Sequence, residues 1–550
     1  MDQWLTAIAI RHVVGDWDAY GYRRGKNMYA YKPQNGKWQL LHWDIAFAMG
    51  LGDNPFSNLF DVSHFSGTID PVTDRMLKHP PFVRAYWRAL QEAANGPLLA
   101  SRVNLILDAK YNALASNGIQ VTSPDVSVKA WITQRRSFIL SQLSSVSASF
   151  AITSNNGNNF STNKNQITLT GTAPVEIKTI KVNGATFPVT WTSVNSWTLR
   201  YALPGPTNNL VIQGFDNKGN PVSEAFDNIN VAFTGATEKA EDRLVINEIM
   251  YNPAVPDAEF VELHNTSRNF AFDLSYHRLS GIDFAFSEGT LIPPGGFLVI
   301  VKDPLIFAET YGNTIPVTGI YDGILDKRGE TLSLVKRGVT ATNDIVVESV
   351  TYDNDPPWPS AANGVGASLQ LIDPARDASR VANCAAVWNS YTPGATNSVL
   401  TNLSAFPLLW LNEVEPNNVT GTNDLAGERD PWVELHNSGN TTISLANYYL
   451  TDSYTNLTQW AFPSNAVIGA KKFLLVWLDG KNSGPEEAEL HTGFRIHPVA
   501  GSIALTGTLT NGQLAVFDYL NYSNLEADRS FGAFPDGQAQ RRQVFYIVTP

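Results

Sequence analysis

An α+β lobe followed by three all-β modules is the architecture that three observations predict. Helical periodicity and an aromatic hairpin occupy residues 1–145, whereas short alternating strands separated by turn clusters occupy the rest. A long motif occurs twice, as LVINEIMYNPAVPDAEFVELHN (244–265) and LWLNEVEPNNVTGTNDLAGERDPWVELHN (409–437). Two such copies mean two tandem domains. Charged residues make up only 16% of the chain, below the usual ~25%, and Asn, Thr, Ser and Gly are abundant. The expected domains are 1–145, 150–235, 243–397 and 408–550.

Taken in order, residues 1–15 are a helix with Leu5, Ile8, Ala9 and Val13 or His12 on one face. Asp16 and Asp18 follow on a loop. Asn35-Gly36 is a two-residue hairpin signal, because a type I′ turn needs positive φ at both central positions. It joins Met28–Tyr31 to Lys37–Trp43, with Gln34 facing Lys37 and Asn27 opposite Asp44. Pro33 cannot donate to a ladder, and a longer loop shifts this register by a residue or two. An amide and a carboxylate side by side suit Mg²⁺, which takes hard oxygen ligands. A carboxylate, then an amide, then a second carboxylate after a hairpin is the order used in kinase phosphoryl transfer. Residues 51–75 read as irregular. Helices are expected over Phe82–Ala94, from about Pro97 to Ala115, and from near Ser123 to Leu143. Arg135 and Arg136 are expected on a solvated face.

This region resembles the C-terminal lobe of the CotH kinase family, secreted relatives of the protein kinases. The matching residues are WDAYGY (17–22), KNMYAY (26–31), GKW (36–38), WDIAFAMG (43–50) and the helical VKAWITQRRSFILSQL (128–143). The resemblance implies an atypical protein kinase using Mg²⁺ and ATP. It makes Asp18 the catalytic-loop base, with Asp16 as the alternative, Asn27 a metal ligand and Asp44 the main metal-binding acid. The family usually carries a second acid two residues after the metal-binding one; here that position is Ala46. No Gly-rich loop followed by a lysine-bearing strand precedes Asp18. The chain is therefore expected to be inactive alone, with Met1 inside a longer secreted or cell-surface bacterial protein whose signal peptide lies upstream.

Residues 144–150 are Ser-rich and read as a linker. Strands at Gln166–Thr170, Val175–Val182, Trp197–Tyr201 and Leu210–Gly214, with turns at Asn183-Gly184 and Pro204–Pro206, then suggest a β-sandwich. This segment resembles an immunoglobulin-like module without its cysteine pair. After a charged linker at Thr237–Glu241 come the two repeats. Their NEI and NEV strands, their VELHN strands, and GGFLVIV (295–301) matched by KKFLLVW (471–477) resemble the lamin-tail domain. That domain is an immunoglobulin-like β-sandwich. Ile246, Ile249, Val261 and Leu263 carry the match in the first copy; Val414, Val433 and Leu435 carry it in the second.

Other features read as structural. Glu262 and His264 share a strand face, as do Glu434 and His436. No third metal ligand is placed beside either pair, so both are read as strand-end residues bonding neighbouring backbone. The acidic loops Asp353–Asp355 and Asp424–Asp430 are the candidate Ca²⁺ sites. Neither has EF-hand spacing, and solvation is the expected role. Trp191, Trp197 and Trp432 suit either sugar stacking or a core. The single Cys384 sits among apolar residues and is expected to be a buried, inert thiol. A net charge of −12 argues against a general nucleic-acid binder. No run of about 18 apolar residues suggests a transmembrane helix. The partner is expected to be a protein substrate. The rival expectation is a non-enzymatic surface protein whose β modules bind polysaccharide or another envelope component.

Overall fold

The first helix forms as α1 (Asp2–Val14) and buries Leu5, Ile8, Ala9, His12 and Val13. The computed structural model describes residues 1–34, 36–482, 488–509, 512–538 and 541–548. The chain is mostly β, with its few helices concentrated near the start. It divides into two compact units: Met1–Thr237 with Glu288–Leu291, and Glu238–Ser287 with Ile292–Pro550.

In the first unit, α1 ends in a Schellman motif. Gly15 takes φ 67°, its N–H bonds the His12 carbonyl at 3.2 Å, and the Asp16 N–H bonds the Arg11 carbonyl at 2.9 Å. A β-carbon at Gly15 would come within 2.8 Å of Trp131. Glycine therefore meets both the turn and the close approach.

Four more helices follow: α2 (Pro71–Lys78), α3 (Pro80–Asn95), α4 (Ala100–Ser116) and α5 (Val128–Leu143). Helix α2 lies where an irregular segment was expected. Its start is written in the sequence, since Asp70 accepts the Val72 and Thr73 amides (2.9 and 2.7 Å) and Pro71 opens the first turn. Helices α4 and α5 begin later than expected because turns precede them. The Leu99 N–H bonds Gly96, and the Val126 N–H bonds Ser123. Leu5, Ile8, Leu77, Tyr86, Leu90, Trp131 and Ile139 share one core.

Arg135 is not on a solvated face. It is fully buried and donates to the carbonyls of Pro55 (2.9 Å), Ser57 (2.7 Å) and His12 (2.5 Å). Arg136 is half-buried and donates to the Ala94 carbonyl at 2.8 Å. Loop and helix-end carbonyls need donors when buried, and a guanidinium supplies several at once.

Residues 151–233 hold a four-stranded and a five-stranded sheet. Three of the four expected strands are present, together with the longer Pro221–Phe233; the expected Val175–Val182 is a strand only over Thr179–Val182, because a turn in which the Ile177 N–H bonds the Pro174 carbonyl precedes it. Trp197 is fully buried, and half-buried Trp191 lies 3.5 Å beneath the Arg84 guanidinium. Arg84, from α3, also bonds the carbonyls of Ala173 (3.2 Å) and Ile177 (2.7 Å).

In the second unit the two repeats share one topology. The first places Phe297–Val301, Phe260–Asn265, Leu244–Met250 and Leu369–Leu371 side by side. The second places Phe473–Trp477, Trp432–Asn437, Leu409–Glu415 and Ser530–Ala533 likewise. Each has the same ladder shift, between Ile246 and Glu248 and between Leu411 and Glu413. The extra residue is Asn247 or Asn412, whose side chain donates to Glu262 (2.8 Å) or Glu434 (2.9 Å). A β-bulge re-aims a side chain in this way, which gives the repeated Asn-Glu pair its physical reason. The last residue of VELHN has one too. Asn265 donates to the carbonyls of Phe270, Ile292 and Pro293, and Asn437 to those of Thr441, Ile468 and Gly469. The apolar residues that carry the repeat match, from Ile246 to Leu435, are all buried. Trp432 is fully buried, which rules out sugar stacking on it.

Candidate functional site

The Schellman turn sets Asp16 directly against Arg11, and the two form a buried ion pair. Asp16 has no solvent exposure, and its Oδ1 has no hydrogen-bond partner among the described residues. Burial raises its pKa, the Arg11 guanidinium opposes that rise, and the charges of Asp18 and Asp44 add to it. Asp18 is also buried. It faces the Lys26 ammonium at 2.8 Å and the Arg24 guanidinium at 3.6 Å. The Asn27 side-chain N–H donates to the Asp18 carbonyl at 2.7 Å and to its carboxylate at 3.3 Å.

The hairpin runs Met28–Tyr31 against Gln39–His42. Its register departs from the expected one: Met28 pairs with His42 and Tyr31 with Gln39. Asn27 therefore faces Trp43, whose N–H bonds the Asn27 carbonyl at 3.2 Å, and Asp44 lies one residue beyond. The loop is longer than a two-residue turn. Pro33 contributes no N–H, and its carbonyl takes the Gly36 N–H at 3.1 Å. Asn35, the other half of the expected turn, lies outside the described residues.

Asn27 and Asp44 both adopt left-handed backbone, with φ 60° and 49°. Asn and Asp tolerate this region better than other non-glycine residues, yet it remains strained and needs support from its surroundings. Asp44 is exposed and makes no hydrogen bond or ion pair among the described residues. The structure thus brings Asp16, Asp18 and Asn27 into one connected group, with Asp44 close enough to raise the Asp16 pKa. The donors on offer are carboxylate and amide oxygens, one of them buried and unpartnered. Such donors are the type a hard divalent cation such as Mg²⁺ takes; Asp16 and Asp18 are already faced by Arg11, Arg24 and Lys26, which leaves Asn27 and the exposed Asp44 as the pair to hold it. Sequence reasoning missed Arg11, because an arginine inside a helix carries no pattern of its own.

Residues 1–138 match the family model for CotH kinase protein, and residues 237–355 and 404–523 match the Lamin Tail Domain. The chain joins a CotH segment to two lamin tail domains. No curated protein matches it. Among solved structures, SGBP-B of the Bacteroides ovatus mixed-linkage glucan utilization locus, in complex with a mixed-linkage heptasaccharide, is 12% identical at a TM-score of 0.11. That match takes in 65% of this chain and 62% of that one. InvD of Yersinia pseudotuberculosis is 12% identical at a TM-score of 0.13, over 67% of this chain and 96% of that one. The endo-fucoidan hydrolase MfFcnA4 from glycoside hydrolase family 107 is 8% identical at 0.11, over 74% and 49%. Similarity at this level says nothing about what the chain does.

The lamin tail domains hold the remaining acid clusters. In the first, Glu262 is fully buried, accepts from Asn247 (2.8 Å) and the Gly394 N–H (2.5 Å), and has its pKa pushed up by burial to about 8. Its strand neighbour His264 stacks on Phe297, with ring centroids 4.4 Å apart, and its Nδ1 has no hydrogen-bond partner among the described residues. His436 stacks on Phe473 in the same way at 4.5 Å.

In the second, the acidic loop Asp424–Asp430 is not simply solvated. Asp424 and Asp430 are buried. The Lys481 ammonium contacts Glu428 and lies 3.8 Å from Asp424, 3.0 Å from Asp430 and 3.3 Å from Asp479. Arg495 pairs with Asp430 at 2.6 Å. Asp424, Asp479 and His491 are grouped closely enough for a metal, but Lys481 already brings positive charge to these acids. The Asp353–Asp355 loop is a local turn in which the Asp355 N–H bonds the Asp353 carboxylate at 3.0 Å. Cys384 is half-buried, and burial pushes its thiol up to about 12, so the thiolate is scarce at neutral pH. No helix among the described residues is long and apolar enough to cross a membrane.

Proposed function

We propose that this chain is part of a bacterial, secreted or cell-surface protein kinase of the CotH type, which moves the γ-phosphoryl of ATP to a protein hydroxyl. In this reading Asp18 orients the acceptor hydroxyl, and Asn27 and Asp44 hold Mg²⁺. Asp16 is the other candidate base, but it is wholly enclosed and held by Arg11, which favours Asp18. The observation that carries the reading is the bonded path from Asp18 through Asn27 to Trp43, the neighbour of Asp44. It unites three segments in the acid–amide–acid order of phosphoryl transfer. Bound Mg²⁺ supplies neutralisation of the phosphate oxygens. Transfer also needs a nucleotide-binding part that cradles the phosphates of ATP. Residues 151–233 and the two lamin tail domains act as immunoglobulin-like sandwiches that hold the lobe at its site of action.

The test is transfer from γ-labelled ATP by the protein together with its nucleotide-binding part. Asp44→Ala is expected to lose about a thousandfold, the ~4 kcal/mol scale of metal-ion stabilisation. Unchanged transfer would overturn the reading. Ala46, in place of the family's second acid, favours a second reading in which the β modules bind an envelope polysaccharide or protein and the lobe is a remnant. Binding of cell-wall material by the chain, without binding of Mg-ATP, would support it.

A further inference from the structure

We propose that Arg11 is the positioning residue of the metal-binding pair, fixing the backbone on which both Asn27 and Asp44 sit. This rests on the phosphotransfer reading above. Arg11 lies in the last turn of α1 and is 2% exposed. Besides its ion pair with Asp16, its Nη2 donates to the Asn27 carbonyl at 2.6 Å and to the Trp43 carbonyl at 3.0 Å. Its Nε donates to His42 Nδ1 at 2.9 Å. One guanidinium therefore holds the end of α1, the residue before the hairpin and the last residues of the hairpin.

The two carbonyls matter more than the number of bonds. The Trp43 carbonyl shares a peptide plane with the Asp44 N–H, so holding it fixes the φ of Asp44. The Asn27 carbonyl belongs to the plane that sets the ψ of Asn27. Both residues are in the left-handed region, which they leave unless something holds them. The planar fork of donors on arginine meets acceptors in several directions, whereas the ammonium of lysine acts as a compact point charge. Lysine at this position would keep the charge beside Asp16 and lose the reach to both carbonyls. An Arg11 that merely neutralised Asp16 would be replaceable by lysine, and a positioning Arg11 would not.

The experiment uses the chain as it stands, with Mn²⁺ alone as the probe. Free Mn²⁺ is read by electron paramagnetic resonance, and amide hydrogen exchange is followed without metal. In Arg11→Lys, Mn²⁺ affinity is expected to fall about 10–100-fold, the usual cost of losing an outer-shell partner. The Trp43 amide is expected to exchange faster while α3 and α5 keep their protection. Arg11→Gln provides a second variant should lysine disturb those helices, with the same expected loss. Wild-type affinity in either folded variant would overturn the role of Arg11 alone. A wild-type chain that takes up no Mn²⁺ would overturn the phosphotransfer reading, and this role with it.

Discussion

Raising the pH should destabilise the first lamin tail domain, and Glu262→Gln should remove part of that effect, since burial also pushes Glu348 in the same domain up to about 8. The carboxyl of Glu262 has no solvent exposure, and burial pushes its pKa from 4.5 to about 8. The folded chain keeps this proton up to about pH 8, and the unfolded chain releases it near 4.5. Folding therefore binds a proton between these values, and stability falls as pH rises through them. At 1.36 kcal/mol per unit, the full shift corresponds to about 5 kcal/mol, an upper bound for one buried group. Its two donors, Asn247 and the Gly394 N–H, already offset part of the cost of the charged form. The amide of glutamine cannot accept both of these bonds, so the variant should be less stable at pH 5 by about 1 kcal/mol. At pH 9 the order should reverse, because the variant buries no charge. The assay is urea unfolding at pH 5, 7 and 9, with hydrogen exchange in 260–265 assigning the change to this domain. Parallel pH profiles for wild type and variant would refute the reasoning.

Two further substitutions test how the fold is held. Gly15→Ala places a β-carbon at φ 67° and within 2.8 Å of Trp131. It should cost about 1–3 kcal/mol in thermal unfolding of the first unit, and an unchanged melting temperature would contradict the Schellman assignment. Asn437→Ala removes the donor to three carbonyls and should cost about 2–3 kcal/mol. Asn265→Ala should cost about the same by calorimetry, and a clear difference between them would break the equivalence of the two repeats.

The repeat was legible in the sequence because each of its marks does a local job. The Asn of NEI and NEV fills a bulge, and the Asn of VELHN ties down the following loop. The apolar alternation between them is core. The acids and the amide around the hairpin were visible as residue types, and the roles proposed for Asp18, Asn27 and Asp44 came from the resemblance to the CotH family. What was not legible came from distant partners. Arg135 looks like a surface cation until the carbonyls of Pro55 and Ser57 fold over it. Lys481 meets the acids of 424–430 only in the folded domain. The hairpin register differs from the expected one because the loop is longer than a two-residue turn, which leaves the Asn27 carbonyl bonded to the Trp43 N–H. For Arg135 and Lys481 the deciding contacts span parts of the chain that no local pattern connects.

The account rests most directly on Asn27 and Asp44 as a metal pair, and a Mn²⁺ titration of the chain against its Asp44→Ala variant tests it. One site in the wild-type chain, lost or weakened more than tenfold in the variant, is the predicted result. Equal uptake by the two proteins, or none by either, would contradict it.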